Sequence, residues 1–227
     1  MVLTAHQPQY LPGLRLFDKI ARSDMFVYLD TVPMESSGYE NRNKIKTTEG
    51  WQWLTIPVKR KGYQHKPIRE VEIDWKSNWQ RKHRATLTNS YSSSEHFEWA
   101  MSAIQWLYEQ EYSLLSELNL HGLMICMRML GIGTEIRVPS VGAYQGHKSD
   151  LVLDMCKKLG ATKYIFGSQG RNYANLEHFE REGIEVEFQD YQHPVYQQLH
   201  GPFLENMSVV DLLMNCGPKS LEILVNK

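Results

Sequence analysis

The feature that most constrains this chain is an alternation of short β-rich runs with helical stretches that stop at glycine. Glu135 to Val138, Lys163 to Phe166 and Glu185 to Phe188 read as strands. Between them, Lys148 to Leu159 and Leu176 to Glu182 read as helices ended by Gly160 and Gly183. Such β-α-β-α-β alternation predicts parallel strands with helices on the sheet faces. The start of the chain shows the same rhythm: Val2 to Ala5, then Leu14, Phe17, Ile20 and Ala21 at helical spacing, then Met25 to Leu29. A right-handed crossover puts the ends of both opening strands, His6 and Asp30, on one rim. The polar turns Pro139 to Lys148 and Gly167 to Tyr173 are expected on that same rim.

Residues 31–75 interrupt the alternation and predict a β insertion. Arg42 to Thr47 and Trp51 to Val58 flank Thr48-Glu49-Gly50 as a hairpin, and Ile68 to Ile73 predicts a third strand. Trp79 to Asn89, Ser94 to Glu111 and Leu114 to Leu130 then carry apolar residues three and four apart, a helical block closed by Gly131 whose Trp and Met residues are expected in the core. Tyr191 to Gln198 is too polar for a core strand. Ser208 and Asp211 open a helix running to Asn215 and closed by Gly217, and Leu221 to Val225 reads as a short apolar helix. The expected architecture is α/β, a Rossmann-like mostly parallel sheet with a β-hairpin insertion at 31–75 and a helical block at 78–131. With 227 residues, 42% of them hydrophobic, the chain can bury the core of one such domain spanning 1–227.

A formal net charge of −1 gives no global attraction for nucleic acid. The basic runs Asn41 to Lys46, Lys59 to Lys66 and Arg81 to Arg84 have two readings, contact with an anionic ligand or solvated loop charge. No apolar run approaches the roughly 20 residues that cross a bilayer. With no leader pattern at the N-terminus, a cytoplasmic location is expected. Cys126, Cys156 and Cys216 are odd in number and set among apolar residues, which predicts buried free thiols in a reducing compartment.

The polar loop from His6 to Gly13 joins the first strand to the first helix, where ligands bind in open parallel sheets and where a helix start offers free N–H groups. His6 at the strand end is a candidate acid, base or phosphate donor, against the alternative of a histidine bonded to backbone. Asp30 is a candidate base, metal ligand or ribose contact, against a turn cap. Asn41, Arg42, Asn43 and Lys46 form a candidate anion clamp. Ser168 and Gly170, with Arg171 and Asn172, form a second candidate at a strand-to-helix turn. His193 and Tyr196 either join the site from the polar late loop or tie that loop down. Zinc spacing, a Walker loop and a G-x-S-x-G elbow do not occur, and Gly131-Ile132-Gly133 precedes a strand where a dinucleotide fingerprint must follow one. Magnesium held by Asp30, Asp150 or Asp154 stays open, and no cofactor is named by the sequence.

His6-Gln7-Pro8-Gln9-Tyr10-Leu11-Pro12, Phe17-Asp18-Lys19-Ile20, Ser23-Asp24, Asn41 to Lys46, Trp51 to Val58, Gln189 to Tyr196 and Ser208 to Gly217 together resemble the WbqC-like family. The resemblance supports His6, Gln7, Tyr10, Asp30, Asn41, Arg42, Asn43, Lys46 and His193 as site residues. It implies a bacterial protein of O-antigen or other surface-polysaccharide biosynthesis. The activity so implied is an aminoacyl (glycyl-type) or acyl transferase acting on an amino sugar. The resemblance assigns no roles; the expected ones are His6 as the catalytic base, Asp30 as the catalytic group orienting the amine or the acceptor, and Arg42 and Lys46 as holders of phosphate or carboxylate. The partners implied are a nucleotide-sugar or other small-molecule acceptor and an activated amino-acid or acyl donor, free, carrier-bound or tRNA-bound; oligomeric state is left open. The opening strand, His-bearing loop and helix are also similar to the nucleotidyltransferase and class I synthetase superfamily. The chain departs from that pattern in lacking a second, closely spaced histidine and a Lys-Met-Ser-Lys-type loop. A nucleotidyltransferase-like enzyme and a non-catalytic sugar-nucleotide-binding module are the alternatives.

Overall fold

The alternating segments form the elements expected of them. The computed structural model describes residues 1–35, 37–59 and 66–225. Its elements are β1 (Val2–His6), α1 (Leu14–Ala21), β2 (Met25–Tyr28), β3 (Arg42–Thr47), β4 (Gly50–Thr55), α2 (Trp79–Tyr91), α3 (Phe97–Glu109), α4 (Leu115–Leu130), β5 (Glu135–Arg137), α5 (Ser149–Leu159), β6 (Lys163–Phe166), α6 (Leu176–Arg181), β7 (Glu185–Phe188), α7 (Val209–Cys216) and α8 (Ser220–Val225). One sheet has the order β5-β2-β1-β6-β7, and all its neighbouring pairs are parallel. The predicted α/β fold is therefore observed. Gly131 and Gly160 end α4 and α5 in the left-handed conformation, which costs a glycine little.

Each strand sends alternate side chains to opposite faces, and the sheet is covered on both. Leu3, Ala5, Met25 and Val27 pack against Val152, Met155 and Cys156 of α5 and Phe179 of α6 in one core. Phe26 and Tyr28 belong to a second, larger core with α1, the helical block and α7. Phe17 and Ile20 of α1 are fully buried in it.

The hairpin forms as expected, Arg42 pairing with Thr55 and Thr47 with Gly50. The third strand does not. Ile68–Glu70 is a 3-10 turn, and the strand-like pairings of the segment among the described residues are isolated bridges, Val58 to Ile73 and Glu72 to Leu114, not a ladder. Ile68 and Val71, both buried, are three apart, the period of that turn and not of a strand. Its Arg69 N–H donates to the Asp30 carbonyl across the end of β2. Of the Lys59 to Lys66 run, residues 60–65 lie outside the described residues.

The helical block departs from expectation in its aromatic residues. Trp79, Met101 and Met127 are core, whereas Trp99, Trp106 and Met124 are 38%, 45% and 49% exposed along α3 and α4. Only one stripe of a helix can face the core. Cys126 and Cys156 are buried and free, and Cys216 is partly exposed.

Candidate active site at the strand ends

From β1 the chain crosses to β2 and β5 on one side, and later to β6 and β7 on the other. The direction of winding reverses at β1, and crevices at such reversals, outside the carboxyl ends of the strands, are where open α/β sheets bind ligands. A cleft of about 180 Å³ lies there. His6 at the end of β1, Gly167 after β6, Arg15 and Lys19 of α1, Tyr39 and Asn43 of the insertion, and Gln189, Tyr191, His193 and Asn206 of the late segment all line it. A larger depression of about 540 Å³ between the hairpin and α2 is built from insertion and helical-block residues, Asn41 and His83 among them. It contains none of the strand ends of the parallel sheet.

The loop from β1 to α1 is held from several sides. Leu11 has a left-handed φ of 40°, a strained state for a branched apolar residue that needs support from its surroundings. The Leu11 carbonyl accepts from Asn43 Nδ2 at 2.8 Å and from Ser208 Oγ at 2.8 Å. Neighbouring carbonyls are held too, Tyr10 O by Asn43 Nδ2 at 3.2 Å and Pro12 O by Val209 N–H at 2.8 Å. Gly13 then starts α1 without a side-chain cap, and Gly13, Leu14 and Arg15 bring that helix start to the cleft lining.

His6 is a fixed, neutral imidazole. Its Nδ1 lies 2.8 Å from the Gln7 carbonyl, which can only accept, so Nδ1 carries the proton and Nε2 presents its lone pair. Burial, reinforced by the nearby Lys19 ammonium, lowers its pKa to about 4. Lys19 is 3% exposed and donates to the Ala5 carbonyl at 2.9 Å. Burial lowers its pKa to about 7. Arg15, one turn earlier on the helix, is exposed and lies 5.7 Å from the centre of the Tyr191 ring. Gln189 braces this helix, its Nε2 donating to Arg15 O at 2.9 Å and Asp18 Oδ2 at 2.6 Å.

The structure brings His6, Asn43 and His193 of the expected residues into the cleft. His193 differs from His6, because Nδ1 donates to Pro194 O at 2.9 Å and Nε2 accepts the Asn206 N–H at 3.2 Å. Both of its nitrogens serve the loop.

The other expected residues have structural partners. Asp30 pairs with Arg69 at 2.9 Å and accepts from Ser116 Oγ at 2.8 Å. Gln7 donates to the buried Glu40 carboxylate at 2.8 Å. The Tyr10 hydroxyl sits in the core between His83 Nδ1 at 2.9 Å and Tyr108 at 2.6 Å. Asn41 donates to Ile56 O at 2.8 Å. Arg42 stacks 4.6 Å over Trp53 and donates to the carbonyls of Gly38 and Ser37, holding the turn that carries Tyr39. Lys46 crosses under the late loop to Pro202 O at 2.6 Å and Gln198 Oε1 at 3.1 Å. The Tyr196 hydroxyl donates to buried Asp211 at 2.9 Å. Ser168 and Arg171 are exposed beyond Gly167, with Arg171 over the Phe188 ring at 4.7 Å. Asp150 and Asp154 face His178 and Lys158. The described residues include no group of three or more His, Cys, Asp or Glu side chains placed to hold a metal ion.

Gln9, Arg15, Lys19, Tyr39 and Gln189 were not among the expected site residues. Arg15 and Lys19 carried a usable signal: four apart on a helix directly after the His6 loop, they share one flank.

The similarity to known proteins runs along nearly the whole chain rather than resting on one motif. The family model described as the WbqC-like protein family matches residues 7–223. The uncharacterized protein Rv1507c of Mycobacterium tuberculosis is 33% identical over 220 residues, covering 96% of this chain and 95% of that one. No solved structure matches. Extended over nearly the full length, these similarities establish that the chain belongs to the WbqC-like protein family.

Proposed function

We propose that the cleft at the β1–β6 reversal is the active site of a transferase that moves an aminoacyl or acyl group, of glycyl type, onto the amine of a nucleotide-linked amino sugar in surface-polysaccharide biosynthesis. The observation that carries this reading is His6. Its Nδ1–H is bound to Gln7 O, and its Nε2 is left as a proton acceptor at the switch point of the sheet. With its pKa near 4, the imidazole is uncharged throughout the physiological range and always able to accept. The acceptor's amine attacks the acyl carbonyl carbon of a thioester or ester donor. The new C–N bond forms as the bond to sulfur or oxygen breaks. The amine proton passes to His6 Nε2 and from there to the leaving thiolate or alkoxide. Tyr39 and Tyr191, on two walls of the cleft, offer ring faces to the sugar or base.

The test is mass spectrometry of a nucleotide-linked amino sugar incubated with the purified protein and a panel of activated amino-acid and acyl donors. The expected outcome is a product heavier by the acyl group, formed about 10²–10⁴-fold more slowly by His6→Gln, the usual range for a lost acid–base residue. Absence of turnover with every donor, or an unchanged rate in the variant, overturns the reading. The cationic floor of the cleft also suits nucleotidyl transfer, and pyrophosphate released from ATP or CTP in place of acyl transfer assigns that chemistry.

A further inference from the structure

Lys19 is a cation for which the protein supplies almost no partner. An ammonium has three donors, and the Ala5 carbonyl is its one hydrogen-bond acceptor among the described residues. No described carboxylate lies within ion-pair distance. Asp18, its neighbour in α1, is turned to Gln189 and to Arg22, 3.6 Å away. The charged and titratable groups around Lys19 are His6 from β1, Arg15 and Asp18 from α1, Tyr39 from the insertion, and Tyr191 and His193 from the late segment. Cationic side chains and aromatic rings therefore dominate the lining, beside an uncapped helix start whose dipole also favours an anion. Burying an ammonium without a partner is costly, and a ligand anion would remove that cost.

We propose that the floor of the cleft is a phosphoryl subsite, in which Lys19, Arg15 and the first turn of α1 hold the diphosphate of the acceptor, and that the arriving anion makes His6 a stronger base. This rests on the cleft being the acceptor site. In the empty cleft near neutral pH, Lys19 is part ammonium and part amine. A diphosphate beside it favours the ammonium, so binding takes up a proton. The same negative charge offsets the Lys19 field that depresses His6 and moves the imidazole toward the pH where a general base works best. Base strength is thereby tied to occupancy by a phosphorylated acceptor.

The experiment is calorimetric titration of UDP into the full-length protein at pH 7, in two buffers of different ionisation enthalpy. The expected result is uptake of about half a proton per UDP, as a group at its pKa gives when binding makes it fully charged. Lys19→Met is expected to abolish the uptake and weaken binding roughly ten- to hundredfold, the range for a charged hydrogen bond. Arg15→Ala is expected to weaken binding and keep the uptake. UDP binding without uptake, no UDP binding, or unchanged binding by a folded Lys19→Met overturns the subsite. A second measurement needs no variant: the His6 imidazole, followed by NMR in wild type, should titrate higher with UDP than without, and an unmoved His6 also overturns the proposal. Glycine and acetate serve as the carboxylate arm, and binding of these with uptake while UDP does not bind assigns the floor to the donor instead. UDP binding with uptake but no acyl transfer retires the transferase and keeps the subsite. Transfer to a sugar without phosphate, with no UDP binding, does the reverse.

Discussion

Lys19 and Asp30 show what a single residue's surroundings decide. The spacing of Lys19 from Arg15 hints at a shared flank, but its burial is not legible in the sequence, because a lysine on an amphipathic helix is ordinarily assigned to solvent, and the fold places it in the cleft lining behind the β1 strand. Its buried ammonium has a measurable cost. Folding lowers its pKa from 10.5 to about 7, so between those values the unfolded chain binds more protons and stability rises with pH. In ligand-free protein, Lys19→Met should exceed wild type in urea-denaturation stability below pH 7, with the gap closing as pH nears 10.5; a gap that widens with pH contradicts the assignment. Asp30 was legible as a polar residue on the rim, but its carboxylate is committed to Arg69 and Ser116. Asp30→Ala should therefore cost about 1–3 kcal/mol in chemical denaturation while leaving turnover per folded molecule within a few-fold of wild type. Lost turnover at unchanged stability would instead place Asp30 in the chemistry.

At the scale of elements, strand and helix periods were readable because each is set by local side-chain alternation, and the hairpin because Gly50 permits its turn, at a φ of 117°. The segment after the hairpin misled because Val71 and Ile73 fit the alternation of a strand, while Ile68 and Val71 fit the three-residue period of the turn that forms. Contacts between distant elements left no local trace. Lys46 looked like part of an anion clamp, yet it faces the late loop and fixes it through Pro202 and Gln198. The same loop is tied from the other side by Asp211, which accepts from Gln198 Nε2 at 2.7 Å and from Tyr91 at 2.7 Å. Lys46→Ala is expected to open new sites of limited proteolysis between Gln198 and Leu204 and to cost about 1–3 kcal/mol. Proteolysis unchanged from wild type would show that the loop is held without it.

Across the whole molecule, the cleft draws on the β1 loop and α1, the insertion, the turn after β6 and the segment after β7. The sequence placed His6 and Gly167 on a common rim through the parallel topology, but no rule of spacing could bring Tyr39 or Tyr191 to the same place. A ligand bound across all of these segments recognises only the folded chain. UDP at a hundred times its Kd should therefore raise unfolding free energy by about 2.7 kcal/mol, seen as a higher melting temperature that Lys19→Met loses. The two cores on either face of the sheet also set what spectroscopy can see. All six tryptophans lie between Trp51 and Trp106, and none belongs to the core that packs against α5 and α6. Indole emission thus watches one side of the sheet, while far-UV dichroism watches both. Met25 and Val27 enter one core and Phe26 and Tyr28 the other, so β2 cannot lose one side and keep its register on the other. Emission and dichroism should consequently melt on one curve, and a dichroism change at temperatures where the indoles are still silent would reveal the unlit half opening by itself.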